Sequence, residues 1–117
     1  MKYLLLIYLD DAWGKLSLAE RQRIFRGQTD LADELTARGQ YLGGNPLHPP
    51  STATTVRVRE GKRLLTDGPF AETREHLGGY MLIDVKDLDE ALTIAARGPL
   101  AVIGSVEVRP VREGPPT

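Results

Sequence analysis

The chain has 117 residues, of which 41% are hydrophobic and 26% charged, with a net charge of −1 and no cysteine. That length points to one domain with a real core. The mixed charge excludes a field that would hold nucleic acid or an acidic membrane, and the missing cysteine excludes disulfides, thiolate metal sites and a cysteine nucleophile.

Tyr3 to Leu9 is a continuous apolar run of strand formers, the pattern of a central buried strand. It follows directly on Met1-Lys2, lacks a small-residue cleavage site and is stopped by Asp10-Asp11, so it reads as a strand and not as a signal peptide. No apolar run approaches the ~20 residues of a membrane span, and a soluble cytoplasmic protein with no membrane partner is expected. Ser17-x-x-Glu20 is a capping box that opens a helix over 17–38. Ile24, Phe25, Leu31, Ala32 and Leu35 recur on one stripe, and Gly39 supplies the C-terminal left-handed position. Tyr41 and Leu42 suit a short strand stopped by Gly43-Gly44-Asn45-Pro46. The proline-rich stretch 45–52 is a stiff connector.

Thr54 to Arg59 alternates, with Val56 and Val58 on one side and Arg57 and Arg59 on the other. Glu60-Gly61-Lys62 turns the chain, and Lys62 to Thr66 returns as a hairpin partner. Tyr80 to Val85 is another buried strand. Asp87-x-x-Glu90 opens a second helix whose inner face carries Leu88, Ala91, Leu92, Ala95 and Ala96, and Gly98-Pro99 ends it. Ser105 to Val111 is the last strand. Residues 1–112 form the domain and 113–117 a flexible tail. With the hairpin set aside the order is βαββαβ, which predicts an α+β, ferredoxin-like fold with an inserted β-hairpin. Two helices then cover one sheet face. Strands this apolar leave the other face in need of cover, which predicts an isologous homodimer packed sheet to sheet.

Residues 67–80 (DGPFAETREHLGGY) hold the densest polar chemistry. Asp67 can serve as acid, base or ligand hook, or simply tie its own Asp-Gly-Pro turn. His76 is one of only two histidines and can shuttle a proton, with Asp67 orienting it. These two are the candidate catalytic residues. Phe70, Glu72, Thr73 and Arg74 are candidate ligand contacts, with Arg74 suited to a carboxylate or phosphate. The structural alternative is a solvated turn with local ion pairing. Gln28 is the fifth candidate ligand contact. It lies on the apolar stripe of the first helix, where a polar group needs a buried partner. His48 sits alone in the proline-rich connector, and the two histidines lack metal-ligand spacing. No metal or cofactor is expected. The basic face of the hairpin has no interleaved aromatic residues, which argues against nucleic acid and for edge protection.

The opening MKYLLLIY, the stretch PPSTATTVR (49–57) and DGPFAETREHLGGY together resemble the YCII-related family in its DGPF subgroup, from Met1 to about Val111. The resemblance implies a dimeric α/β barrel. It also implies that similar sequences often carry glutamine where His76 stands. Enzymes of the wider family place a histidine on the first helix, paired with an aspartate before a proline after the second helix. Counting back from Gly39, Gln28 falls near the histidine's place, and Gly98-Pro99 occupies the aspartate's. Both members of the dyad are absent here, so the family's acid–base chemistry is not carried over. Two functions remain open. One is binding or transformation of a small metabolite in a sheet–helix cleft next to Asp67–Phe70. The other is a non-catalytic regulatory module working with an extracytoplasmic-function sigma factor, which similar proteins are often encoded beside.

Overall fold

A computed structural model describes residues 1–71 and 73–116. Its body is a four-stranded antiparallel sheet in the order β2-β5-β1-β6. The strands are β1 (Lys2–Leu9), β2 (Tyr41–Pro46), β5 (His76–Asp84) and β6 (Ser105–Pro110). A separate two-stranded hairpin joins β3 (Thr54–Arg59) to β4 (Lys62–Asp67). The helices are α1 (Asp11–Lys15), α2 (Leu18–Ala37), α3 (Leu88–Arg97) and α4 (Leu100–Ile103). None is long and apolar enough to cross a membrane.

β1 is central because both its edges find partners, and its side chains alternate as the pleat requires. Tyr3, Leu5, Ile7 and Leu9 are buried, while Leu4, Leu6 and Tyr8 are only half-covered. Tyr3 and Leu5 join Leu31 and Leu35 of α2, Met81 and Ile83 of β5, and Ala91 and Ile94 of α3 in one core. Phe25, Leu88 and Leu92, expected on buried helix faces, are instead 52%, 46% and 47% exposed. The helices are therefore held by narrower stripes than the sequence pattern suggests.

Both long helices begin as their caps dictate. The Ser17 hydroxyl accepts from the Glu20 amide at 3.1 Å, and the Asp87 carboxylate accepts from the Glu90 amide at 2.9 Å. Glu90 itself turns to the Lys86 amide and to the side chain of Gln40. Two short helices stand where only chain breaks were expected. Asp10 caps α1 through the Ala12 amide, and α4 follows directly on the Gly98-Pro99 turn.

The glycine pairs do not end strands. β2 continues through Gly43-Gly44 to Pro46, and β5 starts at His76, four residues before Tyr80. In both strands the glycines lie at a register shift, Gly43 opposite Leu82 and Gly78 unmatched between Ile7 and Tyr8 of β1. A bulge bends the strand without stopping it. Gly44 is required for space: a Cβ there would fall 2.5 Å from the Tyr80 carbonyl oxygen and 2.8 Å from the Tyr41 hydroxyl.

Candidate functional site

Between α2 and the β2–β5 part of the sheet lies a cleft of about 310 Å³, lined in part by Gly44, Gly78 and Gly79. Ile7, Phe25, Ala32, Met81 and Leu100 give it apolar walls, and Gln28, Tyr41 and Asn45 bring polar atoms to it. That combination, concave and mostly apolar with a few convergent polar groups, is the usual form of a small-molecule site. Among the described lining residues the only charged side chain is Asp33, and none is a lysine, arginine or histidine.

Gln28 is the most unusual of these groups. Its Nε2 donates to the thioether of Met81 at 3.4 Å, a weak acceptor. Its Oε1 is buried with no protein donor. Leu31, Met81, Ile94 and Val106 line a second, smaller cavity together with it. The helix brings it there through a close approach to the turn after α3. A Cβ on Gly27 would come within 3.0 Å of the Pro99 ring, and one on Gly98 within 2.7 Å of the Gln28 Oε1. The helix position and the glycine–proline slot that the sequence singled out as separate places are thus neighbours in space.

Tyr41 was read only as a strand residue, yet it is the one described residue whose acidity is clearly moved. Burial, and after it the nearby Tyr80, raise its hydroxyl above the ordinary tyrosine value of 10.0. It therefore stays protonated near neutrality and offers an O–H. The Asn45 amide donates to the Tyr80 hydroxyl at 3.4 Å. The signal that would have found Tyr41 is its setting, a tyrosine beside a glycine pair whose missing side chains leave its hydroxyl room.

The other candidates lie elsewhere. Asp67 ends β4 and is exposed. The next residue, Gly68, closes the base of the hairpin: its amide donates to the Ala53 carbonyl at 2.7 Å, and its own carbonyl accepts from the Thr55 hydroxyl at 2.9 Å. Phe70 is 77% exposed, and the Arg57 guanidinium stands 5.4 Å from its ring centre. It does not plug the core. The Thr73 hydroxyl bonds to the Glu75 carbonyl, and Thr73 and Arg74 face Asp10, Asp11 and Lys15 across a separate polar depression. His76 is half-buried at the start of β5, opposite Leu9. Glu72 lies outside the described residues. Of the described sequence-derived candidates only Gln28 lines the cleft, so the cleft is not walled by Asp67–Phe70.

An α+β chain with a helix-covered antiparallel sheet and a small-molecule-sized cleft beneath the longest helix defines the class. The chain belongs to the YCII-related domain family, whose model matches residues 1–114. It is 38% identical over 117 residues to an uncharacterised protein of Rhizobium meliloti (strain 1021), covering 95% of this chain and 92% of that one. Its fold is similar to that of a solved 5-chloro-2-hydroxyhydroquinone dehydrochlorinase from Burkholderia phenoliruptrix AC1100, in complex with 2,5-dihydroxybenzoquinone. The TM-score is 0.56 at 15% identity, over 97% of this chain and 96% of that one. At that identity the likeness speaks for the fold alone.

Proposed function

We propose that the α2–sheet cleft binds a small, largely apolar, uncharged metabolite that donates a hydrogen bond to the Gln28 side chain. The observation that carries this reading is Gln28, which lines the cleft and whose Oε1, packed beside Gly98, is buried with no donor among the described residues. A buried acceptor left unmade costs on the order of 1–3 kcal/mol, and a ligand hydroxyl recovers it. Anions are disfavoured because no cationic side chain is among the described lining residues and Asp33 would repel them. The Tyr41 hydroxyl supports the same ligand from the β2 side, as a proton-bearing donor. The solved dehydrochlorinase, complexed with 2,5-dihydroxybenzoquinone, supports a small-molecule-transforming role in this fold.

The finer architecture belongs to the same proposal. The strand order supports a ferredoxin-like sheet, and the motif Asp67–Phe70 supports membership of the DGPF subgroup. The half-covered Leu4, Leu6, Tyr8, Tyr80 and Leu82 support an isologous homodimer through the outer sheet face. No specific observation favours the regulatory alternative.

Hydroquinone, anisole and benzoate at pH 7 separate the possibilities, being one uncharged donor, one uncharged ring without a donor, and one anion. Binding is read from amide and side-chain amide shifts in nitrogen-15 correlation spectra. Hydroquinone is expected to move the Gln28 side-chain signals, anisole to bind more weakly and benzoate not to bind. Gln28→Leu is expected to remove the preference for hydroquinone over anisole. Equal binding of benzoate, or a preference unchanged in Gln28→Leu, sinks the proposal.

A further inference from the structure

The hairpin of β3 and β4 is an arm without a partner. Its strands pair only with each other, and no described element of the body packs substantially along them. Every residue of β4 is exposed. The register sets Val56 opposite Leu65 and Val58 opposite Arg63, so Val56, Val58 and Leu65 share one face. They are 58%, 62% and 59% exposed, making an apolar strip in open solvent. Arg63 sits on that same face, and the other face carries Arg57, Arg59, Lys62 and Leu64. The arm also enlarges the molecule. The radius of gyration is 16.1 Å, against about 13 Å for a compact chain of this size. A lone two-stranded hairpin is marginal in water, so the strip calls for cover.

The chemistry of that cover is written in the same chain. The arm, residues 54–67, holds four basic and two acidic side chains on a chain whose net charge is −1. The body outside the arm therefore carries the opposite sign, and arms repel arms but are drawn to bodies. Reach agrees. A six-residue strand extends ~20 Å, whereas a four-stranded sheet measures ~14 Å between its outer strand axes. An arm can cross the full sheet of a neighbour. The half-covered row Leu4, Leu6, Tyr8, Tyr80 and Leu82 belongs to the sheet seam of the preceding reading, so the arm of each copy meets the other body at the rim of that row. The Gly68–Ala53 bond closes the base of the arm.

We propose that two copies embrace through their arms, the Val56–Val58–Leu65 strip of each lying against the body of the other beside its outer sheet face. This rests on the homodimer of the preceding reading and adds the arms as its clamps. Because Val58 and Leu65 are exposed, charging them leaves the monomer core intact. The oligomeric state is measured by light scattering on a sizing column and by sedimentation, for the wild type, Val58→Asp/Leu65→Asp, and Leu6→Asp on the sheet face. The wild type is expected to be a dimer, and the arm variant at least about 10-fold weaker in association with an unchanged circular dichroism spectrum. A photo-crosslinking residue at Val58 of a tagged copy is expected to capture body peptides of an untagged copy, within residues 3–8, 80–84 or 105–110. A dimer undiminished in the arm variant but broken by Leu6→Asp overturns the arms and spares the sheet dimer. A monomeric wild type overturns both. Arm-to-arm or solely intrachain crosslinks overturn the embrace.

Discussion

Gln28→Met should stabilise the free protein while impairing its site. The two side chains have similar length, so the substitution keeps the volume packed against Leu31, Ile94 and Val106. It removes an Oε1 that is buried without a protein donor, worth about 1–3 kcal/mol of relief. Lost in exchange is the contact from Nε2 to the Met81 sulfur at 3.4 Å, worth less than about 1 kcal/mol because a thioether accepts poorly. The net gain is about 1–2 kcal/mol. For 117 residues the unfolding entropy is about 0.25 kcal/mol/K, so Tm should rise about 4–8 °C. Urea unfolding followed by the fluorescence of the single tryptophan, Trp13, measures the change. Both proteins must be at one concentration, since association shifts apparent stability. A half-buried glutamine whose removal raises Tm is one kept for something other than folding, and hydroquinone binding in the same sample should be weakened. If Gln28→Met lowers stability by 1 kcal/mol or more, the oxygen is satisfied in solution and the argument for a ligand donor falls with it.

Three further outcomes follow from the geometry. Gly44→Ala sets a Cβ 2.5 Å from the Tyr80 carbonyl and 3.1 Å from the Met81 Cα; backbone cannot yield cheaply, so stability should fall by about 1–3 kcal/mol in urea unfolding, and no loss would mean that the β2–β5 spacing is wider. Ser17→Ala removes the acceptor for the Glu20 amide and should cost about 1 kcal/mol, whereas Ser17→Asp should restore most of it. The raised Tyr41 hydroxyl means that the folded state holds this proton more tightly than the unfolded one. Its contribution to stability is complete below the unfolded value near 10.0 and is lost as pH rises through the higher folded value. Phenolate absorbance at 295 nm in Tyr41→Phe should lack the high-pH step seen in the wild type, and loss of an ordinary step instead would contradict the shift.

Much of the body was legible because its signals are local. Ser17 and Asp87 can satisfy helix amides only at helix starts, and the alternation around Val56 and Val58 can only be a strand. The cleft was not legible, for three physical reasons. The glycine pairs look like breakers in a one-dimensional reading, but here they lie at register shifts inside β2 and β5, and Gly44, Gly78 and Gly79 line the cavity. The density of polar residues at 67–76 pointed to the arm base, where Gly68 closes a hairpin and Arg57 covers Phe70; turn chemistry and site chemistry draw on the same residue types. Tyr41 carried no motif at all, since its character comes from burial and from Tyr80 across the strand pair. Gln28 was visible because a polar group on an apolar helical stripe is an inconsistency between levels, and such inconsistencies collect at functional places. The same logic singles out the arm. Val56, Val58 and Leu65 suit a buried strand face in composition and stand exposed in the monomer. An inconsistency repeated three times along one strip of surface points to a partner surface, whereas one orphaned oxygen in a cleft points to a ligand.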